Sequence, residues 1–310
     1  MKLAPLACLA VTLAVLAPGT AAAQAPWLGP GTEHLPPDPS VPYLPAVAPR
    51  ICTDGAASCF QALEADLLAR TNALACDHDA VFSHAYLTIT RALIGATNAP
   101  GFFRRPDRIT HEAKTYAQEY FDQYARWHAG AAAATSPSWQ VALRAADEKS
   151  VTAMGDLLLQ LNAHIRRDNP IRAVEQTDGV LRLPGPMPAS SGKPDHEQVS
   201  VALANAMDEM MTLLADRYDP TIDDGMELFG LVFDARGLYS LIAAWREESW
   251  RNAEQLRHAR AVGGTGGLLY QAKLAQIEDS AAAGAQAILA ATRTDPGRNA
   301  ARDAYCAAHV

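Results

Sequence analysis

The chain of 310 residues is acidic, with 34 aspartate and glutamate residues against 26 lysine and arginine residues and a formal net charge of −8. Such a surface repels nucleic acid backbones and anionic membranes, so we expect no nucleic acid partner. Beyond the N-terminus no apolar run is long enough to cross a bilayer, so we also expect no membrane span.

The N-terminus has the parts of a secretory signal peptide. Lys2 supplies a positive charge, residues 3–17 are apolar and uncharged, and small residues continue to Ala23. A short apolar run followed by an A-x-A site is typical of a cleaved signal. We therefore predict a signal peptide over residues 1–23 and a secreted or periplasmic protein.

Residues 24–50 should form an extended arm in front of the main domain. They hold eight prolines and few large apolar side chains. Because proline has no backbone N–H and disrupts helices, this segment cannot be helical. The remaining residues, 51–310, exceed the commonest domain size but can share one core, so we predict a single domain there.

Four cysteines follow the predicted cleavage site: Cys52, Cys59, Cys76 and Cys306. An even number in an exported protein indicates disulfides. Three pairings are possible, and chain order favours Cys52–Cys59 as a small loop with Cys76–Cys306 tying the C-terminus to an early helix. No C-x-x-C pattern occurs, so neither a redox motif nor a cysteine zinc site is indicated.

After the arm, apolar residues recur at helical spacing, which predicts an all-α fold of about eight or nine helices. Phe82, Tyr86, Ile89 and Leu93 mark one of them, at spacings of four, three and four. The next helix carries an aromatic ladder that should belong to the core. The ladder consists of Tyr116, Tyr120, Tyr124 and Trp127.

The second half of the chain should also be helical, with glycine and proline marking the breaks. We expect a long surface loop over 178–194, which could act as a lid and could include a short hairpin arm at 180–183. The glycine-rich run 263–267 should connect two helices, since no strand precedes it and no Lys-Ser/Thr pair follows it. The first expected helix covers 137–169 and ends at Asn169-Pro170, and a short helix with Pro170 in its first turn should follow it. The later expected helices run from near Asp224 toward Phe233, from Leu238 to about Arg260, and on to about Thr292.

One place concentrates polar groups at the end of an apolar helix: Asn162, His164 and Asp168. His164 extends the apolar face formed by Leu157 and Leu161, and Asp168 lies one turn further on. An imidazole and a carboxylate four residues apart can ligate one metal ion, zinc for example. Alternatively, Asp168 orients the imidazole and His164 acts as a base. A third interpretation is structural, with the two side chains satisfying each other.

A metal ion would need more ligands than His164 and Asp168. His78 is the first choice for the third ligand, because it aligns with the inward face of the helix that carries Phe82. Asp79 or His84 on the same helix, and His111 with Glu112 on the next, are further suppliers.

Several motifs resemble a bacterial helical family, domain-of-unknown-function family 5995. The resemblance extends from about residue 55 to 260; it implies a helical fold and brings no activity with it. The matching elements are Tyr86-Leu87-x-Ile89-Thr90, Trp139-x-x-Ala142, Asn162-Ala163-His164-Ile165-x-x-Asp168-x-Pro170 and Arg246-Glu247-x-x-Trp250-x-x-Ala253-x-x-Leu256.

A second, partial resemblance involves the H-x-x-x-D-x-x-x-P-x-H element of zinc-dependent phospholipases C and P1-type nucleases. His164 and Asp168 match its first two positions. Pro170 comes two residues too early, and Arg172 and Ala173 stand where a histidine would be required. Trp27 only loosely resembles the N-terminal tryptophan ligand of those enzymes, which bind three zinc ions.

Two functions remain open from the sequence. The favoured one is a non-catalytic binding protein of the envelope or extracellular space that holds an apolar or small-molecule ligand. The alternative is a metal-dependent hydrolase of phosphate or other esters that uses His164 and Asp168.

Overall fold

A computed structural model describes residues 36–44, 52, 56–175, 181–222, 226–228 and 231–310. The predicted signal peptide and most of the predicted arm lie outside these residues. Within these ranges the fold is all-α, as the helical periodicity predicts, apart from one short β-hairpin. No helix in the described ranges is both long and apolar enough to cross a membrane.

The helices follow the chain in the order α1 to α10, and a π-helical segment, Ala163–Asp168, joins α5 to α6. Counting α5, this segment and α6 as one continuous helix gives nine helices in the described ranges. The bounds are α1 Ala56–Leu74, α2 Ala80–Asn98, α3 Pro106–His128, α4 Pro137–Asp147, α5 Ala153–Asn162, α6 Asn169–Glu175, α7 Lys193–Arg217, α8 Ala235–Gly263, α9 Leu268–Thr292 and α10 Pro296–His309.

Helix α5 is the centre of the domain. All ten of its residues are buried, and it packs against α2, α4 and α9. Around it, α2 packs against α1 and α7, while α8 packs against α6 and α9. A helix buried on every side must satisfy its polar side chains inside the protein, and α5 carries several of them.

The short helix predicted after Asn169-Pro170 is present as α6, but the central helix does not end before it, contrary to the sequence-based expectation. It continues as α6, because the π-helical segment shifts the hydrogen bonding just before the proline: the Asn169 N–H donates to the carbonyl of His164, five residues back. In a regular α-helix, proline removes a hydrogen bond and clashes with the carbonyl four residues earlier. A wider π-turn relieves such conflicts, and π-turns are frequent at functional sites.

The predicted long helix over 137–169 is broken in its first half. Helix α4 ends at Asp147 and α5 begins at Ala153. Between them Lys149 has a φ of 51°, a left-handed conformation in which helices commonly end but which glycine usually supplies. No glycine or proline marks this break, so the break could not be predicted from the sequence.

The predicted helix from Asp224 toward Phe233 is also wrong. Strand β1 (Met226–Leu228) pairs antiparallel with β2 (Leu231–Phe233), and Glu227 lies opposite Val232. A short apolar run cannot be assigned to helix or strand from periodicity alone. Helix α8 follows, and the side chain of Asp234 accepts a hydrogen bond from the Gly237 N–H at 2.8 Å to cap it.

Both disulfides occur in the pairing that chain order favours. Cys52 bonds to Cys59, and Cys76 bonds to Cys306 in α10, each with a Cα–Cα distance of 5.7 Å. The second disulfide closes a loop with a sequence separation of 230 residues. It therefore fastens the last helix to the segment that leads into α2.

Residues 36–44 of the predicted arm lie along α8. The backbone N–H of Asp38 donates to Glu254 at 3.0 Å, and the Asp38 carboxylate lies 3.1 Å from His258 Nε2. Arg257 donates to the carbonyl of Leu44, and Val41 is buried. This part of the arm is therefore attached to the domain.

The described part of the predicted loop 178–194 folds back on itself. Leu183 N–H donates to the carbonyl of Ser190 at 2.8 Å, and Arg182 pairs with Ser191 in an antiparallel bridge. Leu181 is buried, and α7 already begins at Lys193. Val180, the first residue of the expected hairpin arm, lies outside the described residues, and the role of the loop as a lid stays a prediction.

Candidate functional site

A row of four polar side chains follows the central helix into the π-helical segment: Asp156, Gln160, His164 and Asp168. They stand four residues apart, and all four are buried. A buried polar group lowers stability unless it has a hydrogen-bond partner. The partners of each side chain therefore indicate what it does.

Asp168 is held on both of its oxygens. The indole Nε1 of Trp139 donates to Oδ2 at 2.8 Å, and Arg167 Nη1 donates to Oδ1 at 2.9 Å. Both Trp139 and Asp168 are fully buried. A carboxylate with an indole and a guanidinium donor has the environment of a structural ion pair rather than that of an open metal ligand.

Asn162 faces helix α9 and serves to pair the two helices. Its Nδ2 donates to the backbone carbonyl of Ala281 at 2.8 Å, and its Oδ1 accepts from Arg166 Nη1 at 3.2 Å. A Cβ added at Gly284 would lie 2.6 Å from Asn162 Oδ1, so a larger residue there would force the side chains of Asn162 and Arg166 to shift. Asn162 is therefore not part of a site shared with His164.

His164 sits among aromatic rings and lacks a hydrogen bond at Nδ1. The centroid of its ring lies 4.9 Å from that of Tyr86, 5.9 Å from Phe82 and 6.3 Å from Tyr116. Nδ1 is buried with no hydrogen-bond partner; its separation of 3.8 Å from Asp168 Oδ2 exceeds hydrogen-bond length.

The exposed part of the His164 ring lines a cleft of about 730 Å³, counting the solvent at its mouth. Residues from α2, α3, α7 and α8 line the cleft. The fifth part of its lining comes from the continuous helix that α5, the π-helical segment and α6 form. Its apolar lining consists of Phe82, Ala85, Ile89, Leu93, Ile109, Ala113, Leu161, Ile165, Val199, Leu203 and Ile242.

Three polar side chains of the cleft lining, Tyr116, Glu112 and Arg246, interact with one another beside His164. Tyr116 hydrogen bonds to Glu112, and the negative charge of Glu112 interacts electrostatically with the positive charge of Arg246. Burial raises the pKa of the Glu112 carboxyl, while the positive charge of Arg246 opposes that rise. Burial also raises the pKa of Tyr116 well above its usual value. Buried groups have surroundings of low dielectric constant, so a hydrogen bond from these groups to a ligand would be stronger than in water.

Arg246 reaches the cleft from α8 and is held by α7. Its Nε donates to Ser200 Oγ at 3.0 Å, and its Nη2 donates to the carbonyl of His196 at 2.7 Å. Burial lowers the pKa of Arg246, and the negative charge of Glu112 is the largest effect that opposes this. The guanidinium is therefore fixed in orientation before any ligand arrives.

His78, the suggested third metal ligand, does not join His164 and Asp168. Its Nδ1 lies 2.8 Å from Asp156 Oδ2, and its Nε2 lies 3.4 Å from Asp303 Oδ1. Within the described ranges, three histidine, cysteine or carboxylate ligand atoms come within 4.8 Å of one another at Asp79, His128 and Asp147. The structure thus separates the predicted set and assembles another.

The sequence identified His164 but not the residues that complete its surroundings. From the sequence, Glu112 is a possible supplier of a metal ligand, and Arg246 is the first residue of a family motif. Both come from helices far away in the chain, so no spacing connects them to His164. What distinguishes these two charged residues is that they are buried, and burial cannot be read from the sequence alone.

The comparisons with known proteins give one match. The model of a family described as "Family of unknown function (DUF5995)" matches residues 61–291. Neither a curated protein nor a solved structure matches the chain. The resemblance to zinc-dependent phospholipases C and P1-type nucleases therefore has no support from these comparisons.

Proposed function

This chain belongs to the family of unknown function DUF5995, so its activity has to be inferred from its own residues, and we propose that it binds a small, largely apolar molecule in the cleft beside His164. The observation that carries this proposal is the cleft itself: a mostly apolar lining with a few connected polar groups. That combination is the usual composition of a small-molecule site.

The polar group supports a ligand with one oxygen-bearing head. Asp168 lies on the Nδ1 side of His164, so Nε2 is the ring nitrogen left for the cleft. Arg246 supplies a fixed positive charge and N–H donors, which favour a hydroxyl, carbonyl or anionic oxygen. The apolar body of the ligand would lie against side chains such as Leu93, Ile109 and Leu203.

A metal-dependent hydrolase using His164 and Asp168 has less support. Asp168 already accepts hydrogen bonds from Trp139 and Arg167, and His78 is engaged by Asp156. Displacing those donors would leave buried N–H groups without partners. Binding without a metal ion at this place is therefore the function that the geometry favours.

We also propose that the protein works outside the cytoplasm, in the periplasm or the surrounding medium. The two disulfides support this, because disulfides persist in oxidising compartments. The predicted signal peptide points the same way.

Replacing His164 with phenylalanine should separate binding from stability. Because the change removes a buried nitrogen without a partner, we expect the free energy of unfolding to stay the same or rise by up to about 2 kcal/mol. We expect the Kd for anilinonaphthalene sulfonate (ANS), an apolar dye with an anionic head, to rise about tenfold. Dye titration and urea unfolding of the folded protein measure the two effects.

His84→Phe is the matched control for this variant. His84 and His164 are both 8% exposed, and each has a buried Nδ1 without a hydrogen-bond partner. His84, however, packs against Tyr218 and does not line the cleft. Equal Kd values in the two variants, or an unchanged Kd in His164→Phe, would contradict the proposed role of His164.

A further inference from the structure

Three side chains meet where three helix ends converge, away from the cleft. Asp79 directly precedes α2, His128 is the last residue of α3, and Asp147 is the last residue of α4. One ligand atom from each lies within 4.8 Å of the other two. We propose that Asp79, His128 and Asp147 bind a divalent transition-metal ion, with Zn²⁺ or Mn²⁺ as the ions that fit the donor set.

The spacing of the donors suits a shared ion better than a direct hydrogen bond. His128 Nε2 and Asp79 Oδ2 lie 3.6 Å apart, which is longer than a normal N–H···O bond. Two ligands at about 2.0–2.1 Å from a tetrahedral zinc ion are about 3.3 Å from each other. A shift of a few tenths of an ångström would therefore bring both atoms to one ion.

Both carboxylates are already oriented by N–H donors. Gln160 Nε2 donates to Asp79 Oδ1 at 2.8 Å, and Trp127 Nε1 donates to Asp147 Oδ2 at 2.7 Å. In metal sites such outer donors fix the direction of the ligating groups. Here each donor occupies one carboxylate oxygen and leaves the other to a ligand.

The amide of Gln160 is an independent indication of a missing partner. Gln160 is fully buried, and its Oε1 has no hydrogen-bond partner. Because Nε2 of the same amide donates to Asp79 Oδ1, this oxygen lies beside the Asp79 carboxylate. An amide oxygen is a ligand that Mn²⁺ and Zn²⁺ accept, so Gln160 can supply a further oxygen.

The local charge also favours a cation. Asp79 is almost fully buried, and its pKa is raised to about 6 by burial and by the negative charges of Asp77 and Asp156, while His128 lowers it. A divalent ion would neutralise the negative charge of the buried Asp79 carboxylate more fully than the imidazole of His128 does. His128 and Asp147 are exposed, which gives an ion a path to the site.

Calorimetric titration of the full chain, with both disulfides formed, tests the proposal with zinc chloride and, separately, manganese chloride. We expect one ion per chain and a Kd at least about tenfold higher in Asp147→Asn and in His128→Gln. Both residues are exposed, so these variants should fold, which circular dichroism would verify. ANS binding should be unchanged in them, because the cleft is elsewhere.

Glu148→Gln is the matched control, since it removes the same charge from the exposed neighbour of Asp147. We expect its Kd to equal that of the unmodified chain. The assignment would be overturned if neither zinc nor manganese bound at one ion per chain. An unchanged Kd in either Asp147→Asn or His128→Gln would also overturn it. Equal weakening in Glu148→Gln would also overturn it, because that result indicates general charge attraction only.

Discussion

Replacing Cys76 and Cys306 together with alanine is expected to lower the free energy of unfolding by about 5 kcal/mol. The disulfide restricts the unfolded chain, and in the chain-entropy description its effect grows with the length of the closed loop. The sequence separation of 230 residues covers about three quarters of the chain of 310 residues. Urea unfolding of the oxidised proteins at pH 7 measures the difference.

The Cys52–Cys59 disulfide provides the control within the same molecule. It closes a separation of only 7 residues, so replacing both cysteines with alanine should cost about 2 kcal/mol. If the two double variants lose equal stability, restriction of the unfolded chain does not explain the effect of Cys76–Cys306.

Replacing Asp168 with alanine is expected to cost about 3–5 kcal/mol. The change leaves the guanidinium of Arg167 without this carboxylate and the buried indole N–H of Trp139 without an acceptor, and breaking a buried charge pair is among the most destabilising substitutions. Asp168→Asn keeps one amide oxygen as an acceptor, so its cost should be smaller, about 1–3 kcal/mol.

Urea unfolding with and without a chelator measures the role of Asp168. If it is a structural partner of Trp139 and Arg167, the loss of stability is the same in both conditions. If Asp168 were a metal ligand, the chelator would destabilise the unmodified chain and would have little further effect on Asp168→Ala.

Much of the fold could be predicted because helix periodicity is a local property. The apolar spacing through Phe82, Tyr86 and Ile89, the glycine connector before α9 and the cysteine pairing all follow from neighbouring residues or chain order. The break at Lys149, the hairpin strands Met226–Leu228 and Leu231–Phe233, and the continuation through Pro170 have no such local signal. At the Lys149 break, Ser150 and Thr152 hydrogen bond to Thr294 and Thr292, which are distant in the chain, and such contacts override local preference.

The candidate site could also be predicted only in part from the sequence. Spacing along one helix placed His164 and Asp168 close together, but it could not show that Trp139 and Arg167 satisfy Asp168 while Nδ1 of His164 stays without a partner. The cleft is formed by helices far apart in the chain, so Glu112 and Arg246 became visible only in three dimensions. The cluster of Asp79 with His128 and Asp147 was hidden for the same reason.

Filling the cleft tests the proposed binding function most directly. Ala113 on α3 lines the cleft, and Ala125 is exposed on the same helix. In Ala113→Phe the new ring should fill part of the cleft in which the ligand would bind. The Kd for ANS should therefore rise about tenfold or more. Because the ring fills existing space, the thermal midpoint should not fall much, and Ala125→Phe should bind the dye like the unmodified chain. Unchanged ANS binding in a folded Ala113→Phe protein would contradict the proposal that the cleft beside His164 is the binding site.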